Sequence, residues 1–212
     1  MFAVIFEVAP RPGRWDAYLG YAKRLKPELE KIDGFIDNER FASKRRDGWL
    51  VSLSTWRDEK ALIRWRTHAL HHEVQAKGRT EVFRDYHLRV GEIVADTRLP
   101  NDAVLTEQRF DETVVGAAKT ATLTEMPLDQ VGTEGGADSA ITDWDLFESI
   151  TRPGMALLLN FWADAEAARI WLARPSRALR QRRVRIIRDY GMFSRTEAPQ
   201  YYPPAPRTGP TE

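Results

Sequence analysis

The stretch over residues 41–65, FASKRRDGWLVSLSTWRDEKALIRW, is written a second time over 147–171 as FESITRPGMALLLNFWADAEAARIW. Phe41, Gly48, Trp56 and Trp65 recur as Phe147, Gly154, Trp162 and Trp171, at an offset of 106 with no gap. The offset then falls to 104, where Arg84-Asp85-Tyr86 is echoed by Arg188-Asp189-Tyr190. Tryptophan is too rare for two of them to keep register by accident, so the chain reads as two copies of one unit. Its 212 residues suit two units of about 100 residues each.

In the first copy, residues 2–8 are apolar at nearly every position, as in a strand covered on both faces. Residues 15–32 carry a helical stripe of Trp15, Tyr18, Leu19, Ala22, Leu25, Leu29 and Ile32, with Pro27 set to kink or restart it. Gly34 ends that helix, and strands follow over 35–43 and 49–55 around an Asp47-Gly48 hairpin turn. Asp58 can cap a helix running to Trp65, a further helix covers 68–79, and a fourth strand covers 82–94. Strand–helix–strand–strand–helix–strand is the ferredoxin-like βαββαβ order.

The second copy is expected to repeat the third strand over 155–161, helices over 164–174 and 176–185, and the fourth strand over 187–196. Its first strand is either 104–110 or 118–124, and residues 126–140, with Pro127 and three glycines, read as a mobile loop. This divides the chain into 1–96, 103–196 and a proline-rich tail over 197–212, expected to be disordered or extended. A four-stranded sheet with helices on one face must bury its other face. Two such sheets packed together within one chain give an α+β barrel with helices outside.

An ordered set of residues carries a family resemblance: AVIFEV at 3–8, Gly34-Phe35, Glu39-Arg40-Phe41, the strand ending at Trp56, Trp65-Arg66, His71, Gln75, Gly78-Arg79 and 83–86. Together these resemble the antibiotic biosynthesis monooxygenase family, of the dimeric α+β barrel superfamily, densely over 2–96 and thinly over 146–195. The resemblance implies a pocket between sheet and helices, and oxidation of a small aromatic or quinone-like compound with dioxygen and no built-in cofactor. It also carries two alternatives, a haem-binding or haem-degrading protein and a non-catalytic small-molecule-binding or stress protein. The haem-degrading branch relies on a first-strand Asn and a His ten residues beyond the helical Trp. Here those places hold Phe6 or Glu7, and Gln75.

The expected catalytic pair is therefore His71, as a base with a pKa near the ordinary 6.5, and Gln75 at i, i+4 from it. Phe6, Glu7, Trp65, Phe83 and Tyr86 are the expected substrate contacts, in the first copy only, because the second has no helical histidine. His68 and His72 also stand at i, i+4, a spacing that can clamp a metal, but no third ligand follows at recognisable spacing. No metal is expected. Residues 177–188 hold six arginines, read as a helix face with acidic partners, and no nucleic-acid partner is expected. With no cysteine, no apolar run of the ~18 residues a membrane span needs and no basic leader, the expectation is a cytoplasmic protein off the membrane, with room for a homodimer beyond the internal pair.

Overall fold

Period-two alternation sets the frame. In β1 (Phe2–Pro10), Ala3 and Ile5 face the barrel interior, while Phe2, Val4, Phe6 and Val8 face outward toward helices. The computed structural model describes residues 1–100, 103–132 and 138–205. It continues with α1 (Trp15–Leu29), β2 (Phe35–Ser43), β3 (Leu50–Trp56), α2 (Glu59–Arg66), α3 (Ala69–Lys77), a π-helical turn (Gly78–Val82) and β4 (Phe83–Asp96). The second unit supplies β5 (Thr120–Pro127), a 3-10 turn (Leu128–Gln130), β6 (Ile141–Ser149), β7 (Met155–Trp162), α4 (Ala165–Leu172) and β8 (Arg180–Gly191).

The eight strands close into one antiparallel barrel in the order β1-β3-β2-β6-β7-β5-β8-β4. The fold is the expected α+β barrel, built from two ferredoxin-like units of one chain. Its interior holds an apolar cluster in which Ile5, Phe41 and Leu53 meet Leu123, Phe147 and Phe161, with buried ion pairs such as Glu7–Arg89 beside it. No helix among the described residues is long and apolar enough to cross a membrane.

Residues 106 apart occupy matching places. Phe41 and Phe147 are both buried in the barrel interior. Gly48 and Gly154 both close hairpins at positive φ, 71° and 82°, a conformation that a Cβ penalises. Asp58 and Asp164 each cap the helix that follows, accepting from Ala61 N and Glu166 N. Trp56 and Trp162 are 1% and 0% exposed. Their indole N–H groups are satisfied by Ser54 Oγ and Thr122 Oγ1, each at 3.0 Å.

The structure departs from expectation in four places. Pro27 neither breaks nor restarts α1, because it falls in the last turn. Residues 180–191 form a strand, so the helix expected over 176–185 is absent: Arg182, Val184 and Ile186 alternate inward, a period of two that the many arginines obscured. The strand β5 comes from the second of the two candidate segments. Between β5 and β6 only the 3-10 turn is helical among the described residues; of the loop expected over 126–140, Met126 and Pro127 belong to β5, and 133–137 lie outside the described residues.

The fourth departure is the Arg-Asp-Tyr echo, which does not mark equivalent positions. Tyr86 pairs with Val8 on β1, whereas Tyr190 lies beyond the end of β5 and pairs with Leu88 on β4. β8 therefore runs past its own unit and reaches the first.

Truncating either buried indole should leave a large cavity: Trp56→Ala and Trp162→Ala are each expected to cost about 3–5 kcal/mol in denaturant unfolding, and Trp65→Ala, only partly buried, clearly less. A second expectation concerns Glu7, whose side chain is 2% exposed and bonded to Arg89 and Arg46. Glu7→Ala should cost about 3–5 kcal/mol by stranding buried charge. Glu39→Ala, in the more open ion pair with Arg152, should cost at most about 1 kcal/mol.

Candidate functional site

The outer face of the first sheet is not sealed by its helices. Between β1, β3 and β4 on one side and α1, α2 and α3 on the other lies a cavity of about 730 Å³. Its floor is Val4, Phe6, Leu88 and Val90, and its far wall is Leu19, Ala22, Leu62, Trp65 and Val74. Three aromatic rings gather at one end, with Phe6 5.8 Å from Phe83 and 5.5 Å from Tyr86 between centroids. Gly78 lets the π-helical turn pass close to this cluster: a Cβ there would lie 2.5 Å from the Phe83 ring.

Most of the residues expected at the site come together here. Phe6, Trp65, His71, Gln75, Phe83 and Tyr86 all line the cavity. Glu7 does not, and its assignment as a substrate contact is corrected. One residue along β1 from Phe6, it points the opposite way, into the barrel, and accepts from Arg89 Nη1 at 2.6 Å.

His71 is built in place by the break between α2 and α3. Its ring lies flat on Trp65, with centroids 4.3 Å apart and planes 14° apart. Its Nδ1 is 2.9 Å from the Trp65 carbonyl oxygen, which can only accept, so Nδ1 carries the proton and the lone pair sits on Nε2. Burial pushes the imidazolium down to about 4, against a smaller opposing effect of the Trp65 carbonyl. The expected pKa near 6.5 is thus corrected: His71 is a neutral base through the whole physiological range, and a weaker one. Gln75 makes no hydrogen bond to it among the described residues; the Gln75 amide oxygen accepts from Tyr202 Oη at 2.9 Å.

His68 and His72 have separate surroundings. His68 Nε2 is 3.9 Å from Glu28, while His72 stacks on Tyr202, with centroids 5.5 Å apart. The arginines of 177–188 are on a strand and in its approach, where Arg180 pairs with Asp96, Arg182 with Glu125 and Arg185 with Glu92.

Sequence reasoning missed part of the wall. β8 delivers Arg188 and Tyr190 from the second unit, and the C-terminal segment adds Arg195, Pro199, Gln200 and Tyr202. Burial, and then the neighbouring Tyr86, push the Tyr190 phenol up to about 12. The tail expected to pack little is extended, yet over its described part it crosses the cavity mouth. Gln200 Nε2 donates to Arg66 O at 3.2 Å, and Pro203 O accepts from Arg79 Nη2 at 3.3 Å. The paired Tyr201-Tyr202 was the one apolar signal in that stretch.

The His71 shift has a stability consequence with a definite sign. Its folded pKa lies below the unfolded 6.5, so between about 4 and 6.5 the unfolded chain binds more protons. His71 therefore contributes stability fully above pH 6.5 and loses it as pH falls toward 4. Denaturant midpoints measured from pH 7 to 4 should fall less steeply in His71→Gln than in the wild type.

Comparisons with known proteins agree with this fold. The family model described as antibiotic biosynthesis monooxygenase matches residues 1–77, the part that builds most of the cavity. A protein of Pyricularia oryzae (strain 70-15) named jasmonate monooxygenase ABM is 43% identical over 219 residues, covering 97% of this chain and 100% of that one. Among solved structures, an aldoxime dehydratase in complex with butyraldoxime aligns over 88% of this chain and 79% of its own at TM-score 0.57 and 8% identity. Another aldoxime dehydratase aligns over 88% and 81% at TM-score 0.54 and 10% identity. At such identities these two likenesses concern the fold alone. The full-length relative, and a family model seated on the cavity-bearing unit, carry the assignment: the chain belongs to the antibiotic biosynthesis monooxygenase family.

Proposed function

We propose that the chain is a monooxygenase that oxidises a small, largely apolar compound with dioxygen and no built-in cofactor, in the first-unit cavity, with His71 as base. One observation carries this reading. His71 is held neutral, its Nδ1 committed to the Trp65 carbonyl, which leaves a lone pair on Nε2 in an apolar cavity. Water-poor surroundings oppose charging that nitrogen, which sets the uphill cost of taking a proton from an acidic O–H or C–H, but they protect the carbanion once it has formed.

Magnitudes allow the step. Against an imidazolium near 4, a phenol of pKa about 10 makes the transfer about 8 kcal/mol uphill. A step at about 1 per second tolerates a barrier of ~17 kcal/mol. The balanced outcome is a methylene turned into a carbonyl: one oxygen atom goes to carbon, the other leaves as water, and all electrons come from the two C–H bonds. A single hydroxylation would need an external reductant. Aromatic and quinone-like compounds fit this chemistry, and the name of the Pyricularia relative adds jasmonate as a candidate.

A second reading is favoured by the same bond. Ligating imidazoles commonly donate their other N–H to a carbonyl, as His71 does, which would suit haem.

The test is turnover under labelled dioxygen, with jasmonate and with an anthrone-type phenol, read by mass spectrometry. Label should enter the product, and His71→Ala should lower the rate by about 10²–10⁴-fold. The rate should fall with acid only near pH 4, as Nε2 takes a proton. Full activity in His71→Ala sinks the base assignment. A haemin titration giving a Soret shift that His71→Ala abolishes would favour the second reading.

A further inference from the structure

We infer that the tail-covered end of the cavity is a carboxylate-binding subsite, formed by Arg79, Arg195 and Tyr86, and that the molecule it takes is an apolar carboxylate. This rests on the cavity being the substrate site but not on the oxidation chemistry.

Arg79 is 4% exposed, and a guanidinium so buried is ordinarily paired with an acid. Here its hydrogen bonds go only to neutral oxygens: Tyr86 Oη at 2.5 Å, Met192 O at 3.5 Å and Pro203 O at 3.3 Å. Arg195 donates to the same Tyr86 Oη at 2.7 Å and to Gln200 O at 2.9 Å. Two like charges thus converge on one phenol oxygen, whose two acceptor positions they use up. Several of their N–H donors are left over, since a guanidinium carries five.

No ion pair within the described residues answers this charge. The acids lining the cavity are Glu30, Asp37, Glu39 and Glu59, and each already faces a cation, Lys26, Arg180, Arg152 and Arg109. The node is covered by the Tyr202 ring, 5.3 Å from the Arg79 guanidinium and 5.4 Å from that of Arg195. An aromatic face and tail carbonyls stand where a counter-charge belongs, and they are a weak substitute for it.

A carboxylate accepts bidentately from such donors, with hydrogen bonds stronger than neutral ones. His71, Gln75 and Arg79 follow one another at i, i+4 along α3 and the π-helical turn. Eight residues of helix separate the base from the cation by on the order of 10 Å. The bound molecule therefore carries its carboxylate about that far from the carbon that faces His71, with an apolar body lying along Leu88 and Val4.

Equilibrium binding of acid and ester pairs tests this without reference to turnover. The probes are jasmonic acid with methyl jasmonate, and decanoic acid with methyl decanoate, titrated calorimetrically at pH 7.5 into the full chain. The wild type should bind at least one acid about 10- to 100-fold more tightly than its ester. In Arg195→Gln the ratio of acid to ester affinity should fall to about one, and measurable ester binding by the variant certifies an intact cavity. Arg79→Gln, more deeply buried, is the second variant and should act alike if it folds. Equal affinity for acid and ester, a preference that survives in Arg195→Gln, or no binding of either acid overturns the inference. Oxidation can fail while the acid preference holds, so the two readings stand or fall separately.

Discussion

The barrel depends on a charge network written twice across the seam between β2 and β6. Only three residue pairs join these strands, centred on Ala42 and Glu148. Around them, Lys44 N donates to Leu146 O at 2.7 Å and Ile150 N to Arg40 O at 2.9 Å, the same bond in each direction. Ser43 Oγ donates to Asp145, and Ser149 Oγ to Glu39. Asp145 receives Arg46, which also reaches Glu7; Glu39 receives Arg152, which also reaches Glu125. Arg89 and Arg182 complete the two sets on Glu7 and Glu125. Each set borrows a carboxylate from the other unit: Asp145 serves Arg46 and Glu39 serves the half-exposed Arg152, while the deeply buried Arg89 and Arg182 meet Glu7 and Glu125 of their own halves. Such pairs add little net stability over apolar packing, but removing one member strands a buried charge.

On that frame the outer faces of the two sheets have parted ways. In β1 the outward residues are Val4 and Phe6; at the matching register of β5 they are Thr122 and Thr124. α1 covers the first face, whereas among the described residues the second has no α-helix between β5 and β6. Trp171 collapses onto Trp162 at 5.6 Å, sealing its side. Trp65 instead turns its ring to His71 and leaves the cavity open. One unit kept space and the other became a wall.

That wall still reaches the site. β8 extends past β5, so Arg188 and Tyr190 enter the first unit's cavity, and the chain after β8 passes on over its mouth. The cavity is a property of the whole barrel, although the family pattern is dense only over its first part.

The sequence by itself determined the two-unit plan and much of the candidate site. The offset of 106 marked interior phenylalanines, hairpin glycines, buried tryptophans and helix caps, because each of those roles demands a particular residue type. Phe6, Trp65, His71, Gln75, Phe83 and Tyr86 were legible because they lie on elements whose periodicity and order the sequence shows directly. The polar members of the repeat, Glu39 with Asp145, Ser43 with Ser149 and Arg46 with Arg152, keep the same offset and could have been read the same way. Only the tertiary structure decided the rest. Glu7 was turned inward by strand alternation against a register that no local pattern reveals. The arginines of β8 mimicked a helix until pairing with β4 and β5 drew out their period of two. The pKa of His71 depends on walls supplied from distant parts of the chain. The docking of Tyr202 and Arg195 depends on a surface of Arg79, Tyr86 and His72 that exists only once the barrel has closed, and proline-rich composition carries no trace of it.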